Sequence, residues 1–232
     1  MTFNYFVIGW TVFAVLLIPV LLKITAPYGR HIRDGWGTMI NNTLGWVIME
    51  LPSPICFAMA FFSNENDKSS MSYFFMSLWM LHYINRSIIF PFRYPNKNKK
   101  MPLSIALSAI FFNMVNGSIN GYFFGSIDAS FYAENYFLQW NFLMGIALFF
   151  TGFTINNHSD HILLNLRKPG ETGYKIPKGG MFKYISAPNY FGEILEWIGF
   201  VLAAWSLPAL SFAVWTIANL APRAITNHKW YL

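Results

Sequence analysis

Charge is what this sequence has least of. Only 11% of its 232 residues are charged, while 55% are hydrophobic. A soluble domain carries about a quarter charged residues. So few polar side chains cannot cover a globule in water, so lipid is the expected solvent. Cysteine is almost missing as well: Cys56 stands alone in an apolar run, and no intramolecular disulfide can form. The usual nucleotide fingerprints are absent. Gly35 and Gly37 in DGWGTMI lack the third glycine of GxGxxG, and neither GxxxxGK[ST] nor GxSxG occurs. A phosphate-bearing ligand must then be held by something other than a Rossmann turn or a P-loop. Neither HExxH nor CxxC accompanies Asn156, His158, Asp160 and His161, so no metal site is expected there. There is no long linker, no low-complexity tract, and no matched pair of broken helices of the kind transporters carry.

What the chain does have is long apolar windows. Spanning a bilayer takes about 20 residues, and seven windows meet that length: 4–24, 44–62, 71–92, 102–125, 135–155, 190–206 and 208–226. The last two are joined only by Ser206, Leu207 and Pro208, which predicts a tight helical hairpin. The first window has no Lys or Arg before it and no small-residue cleavage site after it, so it reads as a helix that stays rather than a secretory signal. Loop charges alternate in sign. Bases outnumber acids after the first, third, fifth and seventh windows, and acids outnumber bases after the second and fourth. The positive-inside bias then places the N-terminus outside and the C-terminus in the cytoplasm. The formal charge of +6 reads as membrane orientation, and no nucleic-acid partner is expected. The fold class is all-α: a single seven-helix domain over residues 1–232.

One polar stretch interrupts the apolar pattern. Residues 156–197 hold Asp160, Arg167, Lys168, Glu171, Lys175, Lys178, Lys183, Glu193 and Glu196, with the breakers Pro169, Gly170, Pro177, Gly179, Gly180 and Pro188. It reads as a cytoplasmic loop, either a plain connector or a binding site for a charged ligand. Ionisable groups also lie inside the apolar windows, where they are expensive to keep. Glu50 sits in WVIMELPS as a candidate proton donor or orienter, or else as a structural hydrogen bond. His82, Tyr83 and Arg86 neighbour one another at helical spacing in HYINR. Tyr83 reads as an interfacial aromatic or as a hydrogen-bond donor to a ligand carbonyl. Asn113, Asn116 and Asn120 stand among Gly117 and Gly121, a pattern that favours close helix packing but could also present amides to a ligand. Glu193 and Glu196 share a helix face and repel unless something polar lies between them.

Longer blocks resemble a known family. SDHILLNLRKPGETGYKIPKGGMFKYISAPNYFGEILEWIGF is similar to the C-terminal signature of the steroid 5α-reductases. LAAWSLPAL, the terminal PRAITNHKWYL, WVIMELPS, HYINR and NGSINGYF resemble further blocks in the same order. The resemblance covers nearly the whole chain.

The resemblance implies a seven-helix membrane oxidoreductase, with NADPH as cofactor and a 3-oxo-Δ4-steroid as substrate. It implies reduction of the C4–C5 double bond, with hydride reaching C5. Matched by position, Glu50 and Tyr83 are the pair that hydrogen-bonds the C3 carbonyl. Trp46 resembles a steroid-lining aromatic, and Met49, beside Glu50, stands where vertebrate members tend to have glutamine. Asn120, Asn156, Asp160, Arg167, Tyr174, Asn189, Glu193, Arg223, His228 and Tyr231 fall on or beside positions that line the NADPH site, which lies mostly in 156–232. Arg167 is the expected phosphate contact, because guanidinium binds phosphate bidentately; Lys97 and Lys168 are further candidates. Asn227 stands where some members have histidine. The expected location is a bacterial inner membrane or the endoplasmic reticulum membrane, in contact with membrane lipid, with the cofactor site facing the cytoplasm. The alternatives are a reductase of another sterol or polyprenol, an S-adenosylmethionine-dependent membrane methyltransferase, and a lipid-binding protein without redox chemistry.

Overall fold

The computed structural model describes residues 2–27, 29–93, 99–167, 171 and 173–232. Lys97 and Lys168 lie outside the described residues. The structure is mostly helical: α1 Thr2–Lys23, α2 Asn42–Glu50, α3 Pro52–Phe62, α4 Ser70–Ile84, α5 Phe90–Phe92, α6 Leu103–Ser126, α7 Trp140–Leu164, α8 Pro188–Ala204 and α9 Leu207–Tyr231. Each of the seven apolar windows is mostly helical. Among the described residues, three stretches are long and apolar enough to cross a membrane: Thr2–Lys23, Asn42–Phe62 (α2 with α3) and Leu103–Ser126. The chain forms two compact units, one of Met1–Ala26 with Phe137–Leu232 and one of Pro27–Tyr136.

The unit Pro27–Tyr136 is built on α3 against α6. Gly117, Gly121 and Gly125, one turn apart, press on the backbone of Ser53, Phe57 and Phe61. A Cβ at these glycines would lie 2.5, 2.2 and 2.3 Å from the three carbonyl oxygens. In lipid there is no hydrophobic drive between helices, so close backbone approach and dispersion hold them together. Buried rings fill the space beside this contact: Phe57 on Trp79 at 5.2 Å and Phe75 on Phe124 at 5.0 Å between centroids.

Prolines interrupt two of the windows. Pro52 and Pro54 have no N–H for the carbonyls four residues back. The second window therefore breaks at Leu51 into α2 and α3. In the third window Pro91 cannot donate to Ser87 and crowds its carbonyl. The chain widens there into a π-helical turn over Asn85–Ile89, closed by Phe90 N–H donating to the Asn85 carbonyl. Such turns gather at functional sites. A short ribbon adds the only sheet among the described residues, and an all-helical reading does not anticipate it. β1 (Met39–Asn41) runs antiparallel to β2 (Lys100–Pro102), pairing Met39 with Pro102, Ile40 with Met101 and Asn41 with Lys100. It ties the start of α2 to the start of α6, and Asn41 caps α2 by accepting from Leu44 N–H at 3.1 Å.

In the other unit, α7 and α8 form the closest pair, through Gly145 and Gly152 against Gly199 and Gly192. α1 lies along α9: Trp215 Nε1–H donates to the Trp10 carbonyl at 3.1 Å and Thr11 Oγ1 bonds Ser211 Oγ at 2.8 Å. The connection between α8 and α9 is shorter than the expected Ser206–Pro208. It consists of Trp205, in the left-handed region at φ 46°, and Ser206, which caps α9. Pro208 falls in the first turn, where its missing N–H leaves no bond unmade.

The stretch 156–197, expected as a loop, is helical at both ends. α7 continues through Asn156 and Asp160 to Leu164, and α8 begins at Pro188. The breakers explain the difference: they run only from Pro169 to Pro188, and nothing in NNHSDHILL stops a helix.

Candidate active site

α2, α4 and α6 bring three polar side chains together inside the unit Pro27–Tyr136. Glu50 is the last residue of α2, next to the break that Pro52 and Pro54 impose. Tyr83 stands one residue from the end of α4, just before the π-helical turn. Asn113 projects from the middle of α6. Tyr83 donates its hydroxyl to Asn113 Oδ1 at 3.1 Å, and Asn113 Nδ2 donates to Glu50 Oε2 at 3.2 Å and to the Met49 carbonyl at 2.6 Å. Tyr83 and Asn113 are buried and Glu50 is half-buried. The two residues expected as the reacting pair therefore meet on one amide. The π-helical turn is anchored at the same place, because Ser87 Oγ donates to the Tyr83 carbonyl at 2.6 Å.

Aromatic rings adjoin this triad. Trp46, one turn before Glu50, is buried edge-on against Phe90 at 5.0 Å. The Arg86 guanidinium lies over both rings, 5.0 Å from Trp46 and 4.8 Å from Phe90. Cation–π contact holds this charge against the aromatic pair. Met49 is buried. Asn120 is fully buried on α6, two turns from Asn113; its Nδ2 donates to the Asn116 carbonyl, while its Oδ1 has no hydrogen-bond partner among the described residues.

The second polar cluster lies between α7 and α8. Asn156 Nδ2 donates to the Asn189 carbonyl at 2.9 Å and to Glu193 Oε2 at 3.3 Å. Asn189 Nδ2 donates to Asp160 Oδ1 at 3.3 Å. Asn156 and Asp160 are buried, as is Ser159 between them and Glu196 on α8. Ser159 Oγ is fully buried with no hydrogen-bond partner among the described residues. The Asn156 amide thus faces the Glu193 carboxylate. Arg167 and Tyr174 also meet: the guanidinium lies 5.1 Å over the phenol ring and Nη1 donates to the Gly173 carbonyl at 3.1 Å.

The remaining expected cofactor residues sit on the second half of α9. Arg223 lines a shallow groove with Leu21, Asn219, Pro222 and Thr226. His228 Nδ1 is 2.7 Å from Ser186 Oγ, a bond that ties the segment before α8 to the end of α9. Tyr231 is one turn further on and half-buried. Residue-by-residue reading passed over the roles of Asn113 and Ser186. Asn113 carried a signal, since Asn113, Asn116 and Asn120 fall on one helix face; Ser186 carried none.

A helical protein with apolar, membrane-length helices and an acid–amide–phenol triad is the class that fold and site define. Comparison with known proteins narrows it. Residues 99–232 match the family model described as 3-oxo-5-alpha-steroid 4-dehydrogenase. The chain is 39% identical over 233 residues to the steroid 5-alpha-reductase of Solanum lycopersicum, covering 99% of this chain and 90% of that protein. It is 42% identical over 217 residues to 3-oxo-5-alpha-steroid 4-dehydrogenase 1 of Bos taurus (91% of this chain, 83% of that protein) and 40% over 208 residues to the Homo sapiens protein of the same name (88% and 79%). The chain belongs to the steroid 5α-reductase family of oxidoreductases.

Proposed function

We propose that the protein reduces the C4–C5 double bond of a 3-oxo-Δ4-steroid to the 5α product, with NADPH as reductant. The observation that carries this reading is the joining of Tyr83 and Glu50 through the Asn113 amide. Reducing a conjugated enone puts negative charge on its carbonyl oxygen. A site that lowers this barrier places hydrogen-bond donors where that charge develops, away from water. The Tyr83 hydroxyl and a neutral Glu50 carboxyl are two such donors. They polarise the C3 carbonyl and hold the enolate oxygen while C4 takes its proton. Trp46 offers an apolar face for the steroid, and Met49 in place of a polar neighbour makes that wall more apolar.

NADPH, when bound, supplies the hydride that C5 accepts. The residues present fit a dinucleotide. Ser159 Oγ is a buried polar atom that lacks a protein partner among the described residues, and such atoms are normally satisfied. Asn156, Asp160, Asn189 and Glu193 offer amides and carboxylates suited to ribose hydroxyls and the carboxamide. Arg167, whose guanidinium lies 5.1 Å over the Tyr174 ring, is the phosphate contact, with Arg223, His228 and Tyr231 adding to it.

On this reading all seven helical windows cross the membrane, with the N-terminus outside and the C-terminus and the cofactor residues on the cytoplasmic side. Helix at every window and the alternation of loop charge support it. The test is a steroid panel with NADPH or NADH on detergent-solubilised protein, read by product mass and C5 stereochemistry. A 5α-dihydro product formed with NADPH is expected. Folded protein that binds NADPH yet yields no reduced 3-oxo-steroid overturns the reading.

A further inference from the structure

Asn113 makes three hydrogen bonds from one buried amide, and their chemistry fixes its orientation. Nδ2 faces two oxygens, the Met49 carbonyl at 2.6 Å and Glu50 Oε2 at 3.2 Å. An amide turned the other way would set its own oxygen against both. Nδ2 therefore stays toward α2, and Oδ1 is left facing Tyr83, whose hydroxyl can only donate to it. At 2% exposure, Asn113 has no competing water to release it from this arrangement.

We propose that Asn113 is a positioning residue of the active site: its amide holds the Glu50 carboxyl in place and aims the Tyr83 hydroxyl. The inference rests on the reading of Glu50 and Tyr83 as carbonyl-binding groups. The bond from Nδ2 to Oε2 holds the Glu50 carboxyl in one place and orientation relative to Tyr83. Because Oδ1 accepts from Tyr83, the phenol is held on a hydrogen bond that a carbonyl oxygen gaining negative charge can draw away. The interaction is then exchanged during reaction rather than created in it, and the phenol ring need not move. Asn113 also ties α6 to the Met49 carbonyl near the end of α2, beside the break where Pro52 and Pro54 leave the chain without helical donors. The same bond thus fixes the height of Glu50 relative to Tyr83. Asn113 itself touches neither cofactor nor reacting atoms on this account.

Two variants test this with steady-state kinetics in detergent, cofactor titration by tryptophan fluorescence, and a thermal melt. Asn113→Leu removes all three bonds at similar volume. It is expected to lower kcat about 100-fold, the scale of a misplaced reacting group, with NADPH Kd within about 2-fold of the wild type. Asn113→Asp keeps an acceptor for Tyr83 but, when ionised, turns an oxygen toward Glu50 and the Met49 carbonyl; when protonated it regains one donor. Its kcat is therefore expected to rise as the pH falls, on a limb that the wild type lacks. Wild-type kcat in N113L overturns the proposal, as does a pH-independent loss of the same size in both variants. Failure of both variants to give folded protein makes Asn113 structural and also overturns it. A wild type inactive on every 3-oxo-Δ4-steroid instead overturns the underlying reading, and the proposal with it.

Discussion

Gly152 of α7 lies so close to Gly192 of α8 that a Cβ on Gly152 would sit 2.5 Å from the Gly192 carbonyl oxygen, and one on Gly192 would sit 2.5 Å from the Asn156 backbone nitrogen. Glu193 follows Gly192 in sequence, and Asn156 is one turn beyond Gly152. This contact therefore sets the distance across which Asn156 reaches Glu193 and the Asn189 carbonyl. Larger residues cannot be accommodated by a side-chain rotation, because the atoms they meet are backbone. Gly152→Val should force α7 and α8 apart at an overpacking cost of about 1–3 kcal/mol. The expected result is a lower melting temperature together with a weaker NADPH affinity. An unchanged cofactor Kd in a destabilised protein would show that the cluster is not where the cofactor is held.

Tyr83→Phe and Glu50→Leu each remove a hydrogen-bond donor at similar size. Losing a donor aimed at developing negative charge lowers kcat by about 10²–10³-fold. NADPH binding, measured by fluorescence titration, should be unchanged. Because the two side chains share the Asn113 amide, the double variant should lose much less than the product of the single losses. Simple additivity in the double-mutant cycle would mean that the two groups act independently and that the shared amide does not couple them.

The helices were legible in the sequence because lipid selects for length and apolarity, and both can be read along the chain. Their interruptions were less so. Proline marks Leu51 and the π-helical turn at 85–89, but whether a proline ends, kinks or widens a helix depends on which neighbours re-satisfy the freed carbonyls. The ribbon of Met39–Asn41 with Lys100–Pro102 joins segments about sixty residues apart, which no local pattern reports. Glu50 and Tyr83 stood out because ionisable and phenolic groups are costly in an apolar window. Asn113 looked like a packing residue, and Gly117 and Gly121 beside it are packing residues; only the fold reveals that Asn113 faces two other helices.

Asp160 and Asn156 offer a separate handle on the cofactor. Both are buried on α7, and their partners Asn189 and Glu193 come from α8. Asp160→Leu and Asn156→Leu each delete hydrogen-bonding capacity that a dinucleotide would use, and each leaves a partner unsatisfied. Such a loss costs about 1–3 kcal/mol, or roughly a 5- to 150-fold rise in NADPH Kd. At saturating NADPH, kcat should recover most of its wild-type value, because neither residue touches the enone on this reading. A loss confined to kcat, with Kd intact, would reassign the α7–α8 cluster from cofactor binding to chemistry.

Arg167 and Tyr174 make the most specific prediction about the phosphates. The guanidinium lies over the phenol ring, 5.1 Å from its centre, and its Nη1 is anchored on the Gly173 carbonyl. A guanidinium held at these two points offers its remaining N–H groups to a phosphate edge. The ring is thus a platform and its hydroxyl is dispensable. Arg167→Ala should raise NADPH Kd about 10-fold or more, and Arg167→Lys should recover only part of that, because an ammonium keeps the charge but neither stacks nor binds bidentately. Tyr174→Phe should stay near the wild type, whereas Tyr174→Leu should weaken NADPH in the same direction as Arg167→Ala. Titrating all four variants with NADPH and with NADH separates the two contributions. If Arg167 contacts the phosphate that distinguishes the two cofactors, its loss narrows the preference between them. If it contacts the shared pyrophosphate, both affinities fall together. Equal behaviour of Tyr174→Phe and Tyr174→Leu would dismiss the platform and leave Arg167 acting by charge alone.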